Sequence, residues 1–330
     1  MQVAMHYPSP HNCQPAKLEV IGSDHARVMF DTNRGLFASE FGYSFSYLSV
    51  GVFIEFITQA AQSVGYKLSY APKLTEIDLK RGPYLHYFGD LKIDEKIKPD
   101  AKLKKELITR QTSRESYFST PMSEALKKSI AEIAADDSIK LEYTTDSGKV
   151  RRAMILNQDS IFKDINNKVM HDELAKWLRY TNRQAKKTGD GLSAKCLRIP
   201  GLILFAAVKI PYLTNNILTA KLLKNYYLRT MKHVPTIVWM YGNFANHTQQ
   251  LECGRAFMKI WMEISRDGYY LHPYGSVPTR DKMLQNFNNI VGHKDSDKVW
   301  MIFRVGKSVK PPQSYRLSLE DHFVTVGGDH

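Results

Sequence analysis

Arg110 and Arg114, in the segment ITRQTSRESYF (108–118), are the residues whose type and spacing most suggest chemistry. A guanidinium is planar and permanently charged, and it grips a phosphate or carboxylate through two parallel hydrogen bonds. Four residues apart at the start of a helix, the two would share one face and converge on a single anion. Helix N-terminal amides and the Thr112 hydroxyl would add donors. The plainer alternative is that both arginines cap a solvated helix. A second group is the loop YPSPHNCQP (7–15), where Ser9, Pro10, His11 and Asn12 follow one another. Its Pro-Ser-Pro run restricts the backbone and suits laying it against a flat ring. His11 reads equally well as a structural hydrogen-bonder. The patterns SHxxH, HExxH and GxSxG are absent. His171, Asp172 and Glu173 are adjacent, but consecutive helical residues point in different directions, so no metal site is expected. No GxGxxG accompanies a βαβ pattern, which argues against a Rossmann nicotinamide site.

The elements that must carry these residues are legible from periodicity. KLEVIG (17–22) and ARVMFD (26–31) read as neighbouring strands across a GSDH turn. Apolar residues fall at helical spacing from Phe45 to Val64, with Gly65 as stop and YKLSYAP as the strand that follows. PYLHYFGDLKI (83–93), KLEYTTD (140–146), TIVWMYG (236–242) and KVWMIFRVG (298–306) are further strands. A helix is expected over about 121–135, opened by Ser119, Thr120 and Pro121. Residues 151–182 carry one long amphipathic pattern, broken by GDG (189–191). Gln249 to Arg266 is a helix stopped at Gly268.

Composition bounds the rest. The chain has 330 residues, 43% of them hydrophobic and 24% charged, as expected of a globular protein with a real core. Lysine and arginine number 46 against 33 acidic residues, a formal charge of +13 and a pI near 9.4. The excess is spread along the sequence, so it suits a phosphate-bearing ligand as well as a polyanion, and no nucleic-acid partner is expected. Three cysteines without a CxxC pair speak against a disulfide framework or zinc site and for a reducing compartment. The opening MQVAMHYPSP lacks the build of a signal peptide. The apolar run from Ile199 to Val208 falls well short of the roughly 20 residues a spanning helix needs. A cytoplasmic protein is expected.

One internal feature stands out. SVGVFIEFITQAAQSVGYKLSY (49–70) aligns without gaps with ECGRAFMKIWMEISRDGYYLHP (252–273). Gly51 meets Gly254, Gly65 meets Gly268, Tyr66 meets Tyr269 and Leu68 meets Leu271. Each copy is a glycine, a long amphipathic helix, a glycine stop and an aromatic strand. Any two helix–glycine–strand units share some of this; helix and strand units of this sort point to an α+β sandwich.

YPSPHNCQP also resembles the APSxHNxQPW signature of FMN-dependent nitroreductases, and DTNR (31–34) and the helix at 49–65 continue the match. ITRQTSRESYF resembles that family's R-x-S/T-x-R/K element. DELAKWLRYTNRQAKKTGDGL (172–192) is similar to a segment of its Acg-like branch. HPYGSV (272–277) stands in place of the P-x-E-G turn, and RVGKSVKPPQSYR (304–316) resembles the closing strand and terminal arginine. The chain departs from the pattern at Ala16, usually tryptophan, and at Gly275, often glutamate. It also opens almost at the signature, so the customary first helix is expected to be short or absent.

The resemblance implies an α+β nitroreductase-like sandwich, an antiparallel-rich sheet flanked by helices and internally duplicated. Its Acg-like form is a single-chain pseudo-dimer, with residues 1–108 as a partial first half and 109–330 as the second. It implies a flavoprotein oxidoreductase using FMN, with NAD(P)H as co-substrate visiting the same flavin face in ping-pong order. Arg110, Thr112 and Arg316 would bind the phosphate, and Arg114 would lie near the flavin pyrimidine edge. Ser9, Pro10, His11 and Asn12 would contact the ring or ribityl chain from the opposite half. In the turn Pro273–Tyr274–Gly275, a backbone N–H at about Gly275 would meet flavin N5. No side-chain acid, base or nucleophile is then needed, because the cofactor carries the chemistry. Two alternatives stay open: an FMN-sequestering protein without turnover, and a basic module for nucleic acid or anionic membrane. The partner is otherwise a small molecule, and the assembly a monomeric pseudo-dimer or a homodimer.

The stretch 197–230 is unusually apolar with basic edges at Lys209, Lys221, Lys224 and Arg229. Within a lid-like insertion at about 183–232, it reads as a cover for a hydrophobic substrate, as an amphipathic surface for a membrane or partner, or as core helix.

Overall fold

The computed structural model describes residues 1–39 and 42–324. Its elements run β1 (Ala16–Val20), β2 (His25–Asp31), α1 (Gly42–Ser63), β3 (Tyr66–Pro72), β4 (Leu85–Lys96), α2 (Ala101–Thr109), α3 (Glu124–Asp136), β5 (Lys140–Thr144), α4 (Ser147–Ile165), α5 (Lys168–Trp177), β6 (Leu178–Arg179), α6 (Asn182–Thr188), β7 (Leu192–Ser193), α7 (Ala194–Leu197), α8 (Gly201–Lys209), α9 (Pro211–Asn215), α10 (Ile217–Thr230), β8 (Thr236–Tyr241), α11 (His247–Arg266), β9 (Tyr270–Pro273), α12 (Asp281–Val291), β10 (Val299–Gly306) and β11 (Phe323–Val324).

The fold is α+β, as expected, with its strands in two main sheets. The first has the order β11-β1-β2-β4-β3 and the second β5-β8-β10-β9. The pairs within β1-β2-β4-β3 and within β5-β8-β10-β9 are all antiparallel. In each sheet the long helix, α1 or α11, lies in sequence between the second and third strands. Each then stops at a glycine of positive φ, Gly65 at 93° or Gly268 at 75°, and leads into an edge strand. The topology therefore repeats, in register with the sequence repeat. The two copies differ in two connections. α12 lies between β9 and β10, where β3 and β4 have only a short 3-10 turn between them. β1 and β2 are joined by a short turn, whereas α4 through α10 intervene between β5 and β8.

The two long helices pack on each other through their aligned glycines. A Cβ on Gly51 would lie 1.9 Å from the Leu251 carbonyl oxygen, and one on Gly254 would lie 2.0 Å from that of Leu48. Only glycine lets the backbones approach so closely. Around this crossing sits the main core: Val28, Phe30 and Phe88 from the first sheet, and Val238, Met240 and Phe303 from the second. The other face of the second sheet, with Ile237, Trp239 and Ile302, is covered by Val150 and Leu156 of α4 and Leu284 and Phe287 of α12. Burial on both faces explains why β8 and β10 are continuous apolar runs without alternation.

Three expectations about elements need correction. The helix foreseen over 121–135 starts later, because Ser123 and not Ser119 or Thr120 caps it: the Ser123 hydroxyl accepts from the Leu126 amide. The single amphipathic run over 151–182 is two helices, because Asn167 accepts from the Met170 amide and starts a new one. Most consequentially, no helix begins at Arg110. Arg110 is the C-cap of α2, and the chain beyond it is extended.

Candidate functional site

Residues 110–114 are extended because β9 takes them as a neighbour. Thr112 bridges Leu271 in parallel fashion, and the Ser113 amide donates to the Leu271 carbonyl at 3.2 Å. Extended backbone sends alternate side chains to opposite sides. Arg110, Thr112 and Arg114 thus reach one cavity by a period of two, not by the helical spacing their sequence suggests. The segment is held from behind by Arg304, which is fully buried in β10. Its Nη2 donates to the carbonyls of Ser113 and Glu115, at 3.0 Å each, and its guanidinium carbon lies 4.3 Å from the Tyr117 ring centre.

The cavity has a volume of about 450 Å³ and gathers residues distant in sequence: Ser9, Pro10, His11, Asn12, Arg110, Thr112, Arg114, Pro273, Gly275 and Arg316 all line it. Tyr274 does not. Its side chain is buried in the core on the far side of the second sheet, and its amide donates to the Ile302 carbonyl at 2.7 Å. Gly275 next to it is exposed, and a Cβ there would meet nothing within 4 Å, so the turn presents bare backbone to the opening.

Arg110 and Arg316 form the most unusual feature. Both donate to one acceptor, the His6 carbonyl, at 3.2 and 3.3 Å. Arg316 also donates to Asn12 Oδ1. Arg110 is 5% exposed and stacks over Trp261, with its guanidinium carbon 4.4 Å from that ring centre. Three guanidinium nitrogens, Nε and Nη1 of Arg110 and Nε of Arg316, are buried without a partner. Among the described residues neither arginine has a carboxylate. Burial, and then the charge of Arg316, push Arg110 down to about 9; burial pushes Arg316 down to about 10. Both stay charged at neutral pH. Two neighbouring cations, Arg110 buried and Arg316 half-buried, with buried spare donors and no counter-charge are costly unless an anion joins them. A phosphate fits that description in charge and in donor geometry.

Arg114 stands apart from this pair. Burial lowers it, and its charged and polar surroundings are Tyr227, Cys196 and Arg304. It also helps burial hold His11 at about 4 and His272 well below the usual imidazole range. Both histidines are therefore neutral at pH 7. His272 Nδ1 accepts from Arg304 Nε at 3.3 Å, whereas His11 Nδ1 is buried with no partner.

The loop of residues 9–14 is strained and then locked. His11, Asn12 and Gln14 have φ of 49°, 55° and 52°, a region that costs non-glycine residues energy and persists where the surroundings impose it. The surroundings here are specific. Asn12 Nδ2 donates to the carbonyls of Gly191 and Tyr315, and the Gly191 amide returns a bond to the Asn12 carbonyl. Gln14 bridges the Gly189 carbonyl and the Leu317 amide. Arg34 Nε donates to the Cys13 carbonyl at 2.6 Å while its Nη2 meets Asp190, which also pairs with Arg179 at 2.6 Å. The GDG stretch is thus the clamp that joins the 9–14 loop to residues 315–317.

Sequence reasoning missed His6, Arg34, Trp261 and Arg304. A signal existed for Arg304, a lone charge inside the otherwise apolar run VWMIFRVG, and Arg34 lies in the DTNR motif. His6 acts through its carbonyl and leaves no trace in residue type.

The inner faces of α8 and α10 wall the cavity, through Ile203, Leu204, Ala207 and Val208 from the one and Leu223, Tyr226 and Tyr227 from the other.

No protein-family model matches this sequence, and no curated protein is significantly similar to it. Among solved structures it is similar to an FMN-bound nitroreductase from Bacteroides fragilis, at 11% identity and a TM-score of 0.38 over 68% of this chain and 96% of that one. It is also similar to the FMN-dependent nitroreductase NfnB from Mycobacterium smegmatis, solved with NADPH, at 12% identity and a TM-score of 0.41 over 66% and 95%. NfnB from a Sphingopyxis strain gives 13% identity and a TM-score of 0.39 over 66% and 95%.

Proposed function

We propose that this protein is an FMN-dependent oxidoreductase of nitroreductase type, with NAD(P)H as electron donor in a ping-pong cycle. The observation that carries the reading is the Arg110–Arg316 pair, with its three unpartnered guanidinium nitrogens inside a cavity also lined by the 9–12 loop. Arg110, Arg316 and Thr112 would hold the phosphate, and Ser9, Pro10, His11 and Asn12 would lie along the ring or ribityl chain. Pro273 and Gly275 would bring bare backbone to the ring edge, with Tyr274 supporting that turn from the core. FMN, when bound, supplies hydride transfer at N5. Arg114, which lines the same cavity, would place a positive charge near the ring's far edge and favour negative charge there.

The repeated topology and the Gly51–Gly254 crossing support a chain built as a pseudo-dimer, residues 1–108 and 109–330. The C-terminal segment then returns to the first half, where β11 pairs with β1 and Arg316 meets the His6 carbonyl. The insertion in the second half spans α4 to α10, longer than the 183–232 suggested by sequence. Its apolar inner wall suits a hydrophobic small-molecule substrate.

The walling of the cavity by α8 and α10 also favours a second reading, a protein that sequesters FMN without turnover. One experiment tests both. The purified protein reconstituted with FMN should absorb near ~450 nm, the band of an oxidised flavin cofactor, and lose that absorbance when NAD(P)H is added anaerobically. Binding without bleaching favours sequestration, and no binding removes both readings.

A further inference from the structure

The outer faces of α8–α10 are left unexplained by the cavity these helices wall. On α10 the inward positions are Leu223, Tyr226 and Tyr227, whereas Ile217, Leu218, Lys221, Leu222 and Arg229 recur away from the cavity and are exposed. Ile217 is 83% exposed, Leu218 72% and Leu222 68%. α8 repeats the arrangement, with Leu202 80% exposed and Phe205 and Lys209 one and two turns further on. α9 packs against both α8 and α10, so the three helices form one continuous stretch of structure. Large apolar side chains exposed to this degree on consecutive helices mark a surface meant to be covered.

Charge says by what. Residues 191–251 contain no aspartate or glutamate, although the whole chain has 33. Lys195, Lys209, Lys221, Arg229 and Lys232 are exposed in this stretch, and among the described residues none of them is in an ion pair. Lys224 and Arg198 are paired, with Asp159 and Glu115. No helix of the described residues is long and apolar enough to cross a membrane. Short helices with outward leucine, phenylalanine and tyrosine, flanked by unpaired lysine and arginine, have the composition of an element that lies in the interface of an anionic bilayer.

We infer that α8–α10 form a docking surface for an anionic membrane, binding through the outward side chains of Leu202, Leu218 and Leu222 and through Lys209, Lys221 and Arg229. This inference is independent of the flavin reading, since none of these six residues lines the cavity. The test is sedimentation of the full chain with phosphatidylcholine vesicles, with and without roughly one-quarter phosphatidylglycerol. The expected result is co-sedimentation with the anionic vesicles that weakens as salt is raised, and little with phosphatidylcholine alone. Leu218→Ser/Leu222→Ser and Lys221→Glu/Arg229→Glu should each weaken it about tenfold or more, with circular dichroism unchanged because the altered side chains are exposed. Absence of vesicle binding, or binding unaffected by both double variants, overturns the inference. So does a concentration-dependent dimer that Leu218→Ser/Leu222→Ser abolishes in a protein that ignores vesicles, since a second copy would then be the occupant.

Discussion

At the scale of single residues, what distinguishes this molecule is unpaired charge. Arg110 and Arg316 share the His6 carbonyl and keep three buried nitrogens free. Replacing either by glutamine removes a cation from an already repulsive pair. Arg316→Gln should therefore leave the ligand-free protein no less stable while weakening FMN binding about 100-fold, the worth of one or two charge-assisted hydrogen bonds. Isothermal titration beside a denaturant curve checks both halves of that statement. His11 gives a second prediction. Burial and Arg114 hold it at about 4, against an ordinary value near ~6.5. Between those values the unfolded chain takes up a proton that the folded chain refuses. Stability should therefore be flat above pH ~6.5 and fall as pH drops towards ~4, by on the order of 3 kcal/mol for a fully shielded imidazole. His11→Gln should lose less stability between pH 7 and pH 4.5 than the wild type does. Equal losses in urea titrations would mean that His11 is solvated.

Elements fix where these residues stand, and here sequence reading had uneven success. The eight antiparallel strands of the two sheets and the two long helices were legible, because burial on one face or both writes a period into the residues, whereas the two-residue β11 was not. Arg110, Thr112 and Arg114 were legible as a group for the wrong reason. Helical and extended spacing both bring positions i and i+4 to one side, and only the pairing of Thr112 with Leu271, a contact remote in sequence, decides between them. Arg304 makes that decision hold. Arg304→Met keeps the apolar volume but strips the Ser113 and Glu115 carbonyls of their donor, and should cost about 3 kcal/mol, as for other broken buried charge networks. Arg304→Lys should restore little, because an ammonium cannot span both carbonyls and stack on Tyr117. Thermal denaturation of the two variants reads this directly. At the helix crossing, Gly51→Ala and Gly254→Ala each put a methyl within about 2 Å of a backbone oxygen. Each should destabilise by several kcal/mol or abolish soluble expression, whereas Gly268→Ala, where the added Cβ meets nothing, should cost about 1 kcal/mol from its positive φ alone.

For the molecule as a whole, the repeat in sequence and the repeat in topology agree position by position. The aligned glycines Gly51 and Gly254 face each other's backbone, as two copies of one helix would across a two-fold axis. The site straddles the proposed halves, since its loop at 9–12 and its arginines at 110 and 316 lie on different sides of the boundary. That is why composition and local motif could suggest an anion site but could not assemble it. His6, Asp190 and the 315–317 segment join only through long-range closure. The proposed hold of Arg110 and Arg316 on a phosphate is tested most directly by comparing FMN with riboflavin, which lacks that group. Equilibrium titration should find one FMN per chain bound about 100-fold more tightly than riboflavin, a preference expected of a bidentate cation pair, with Arg110→Gln erasing most of the difference. Equal affinities for the two flavins, or an FMN preference that survives loss of Arg110, would contradict the account.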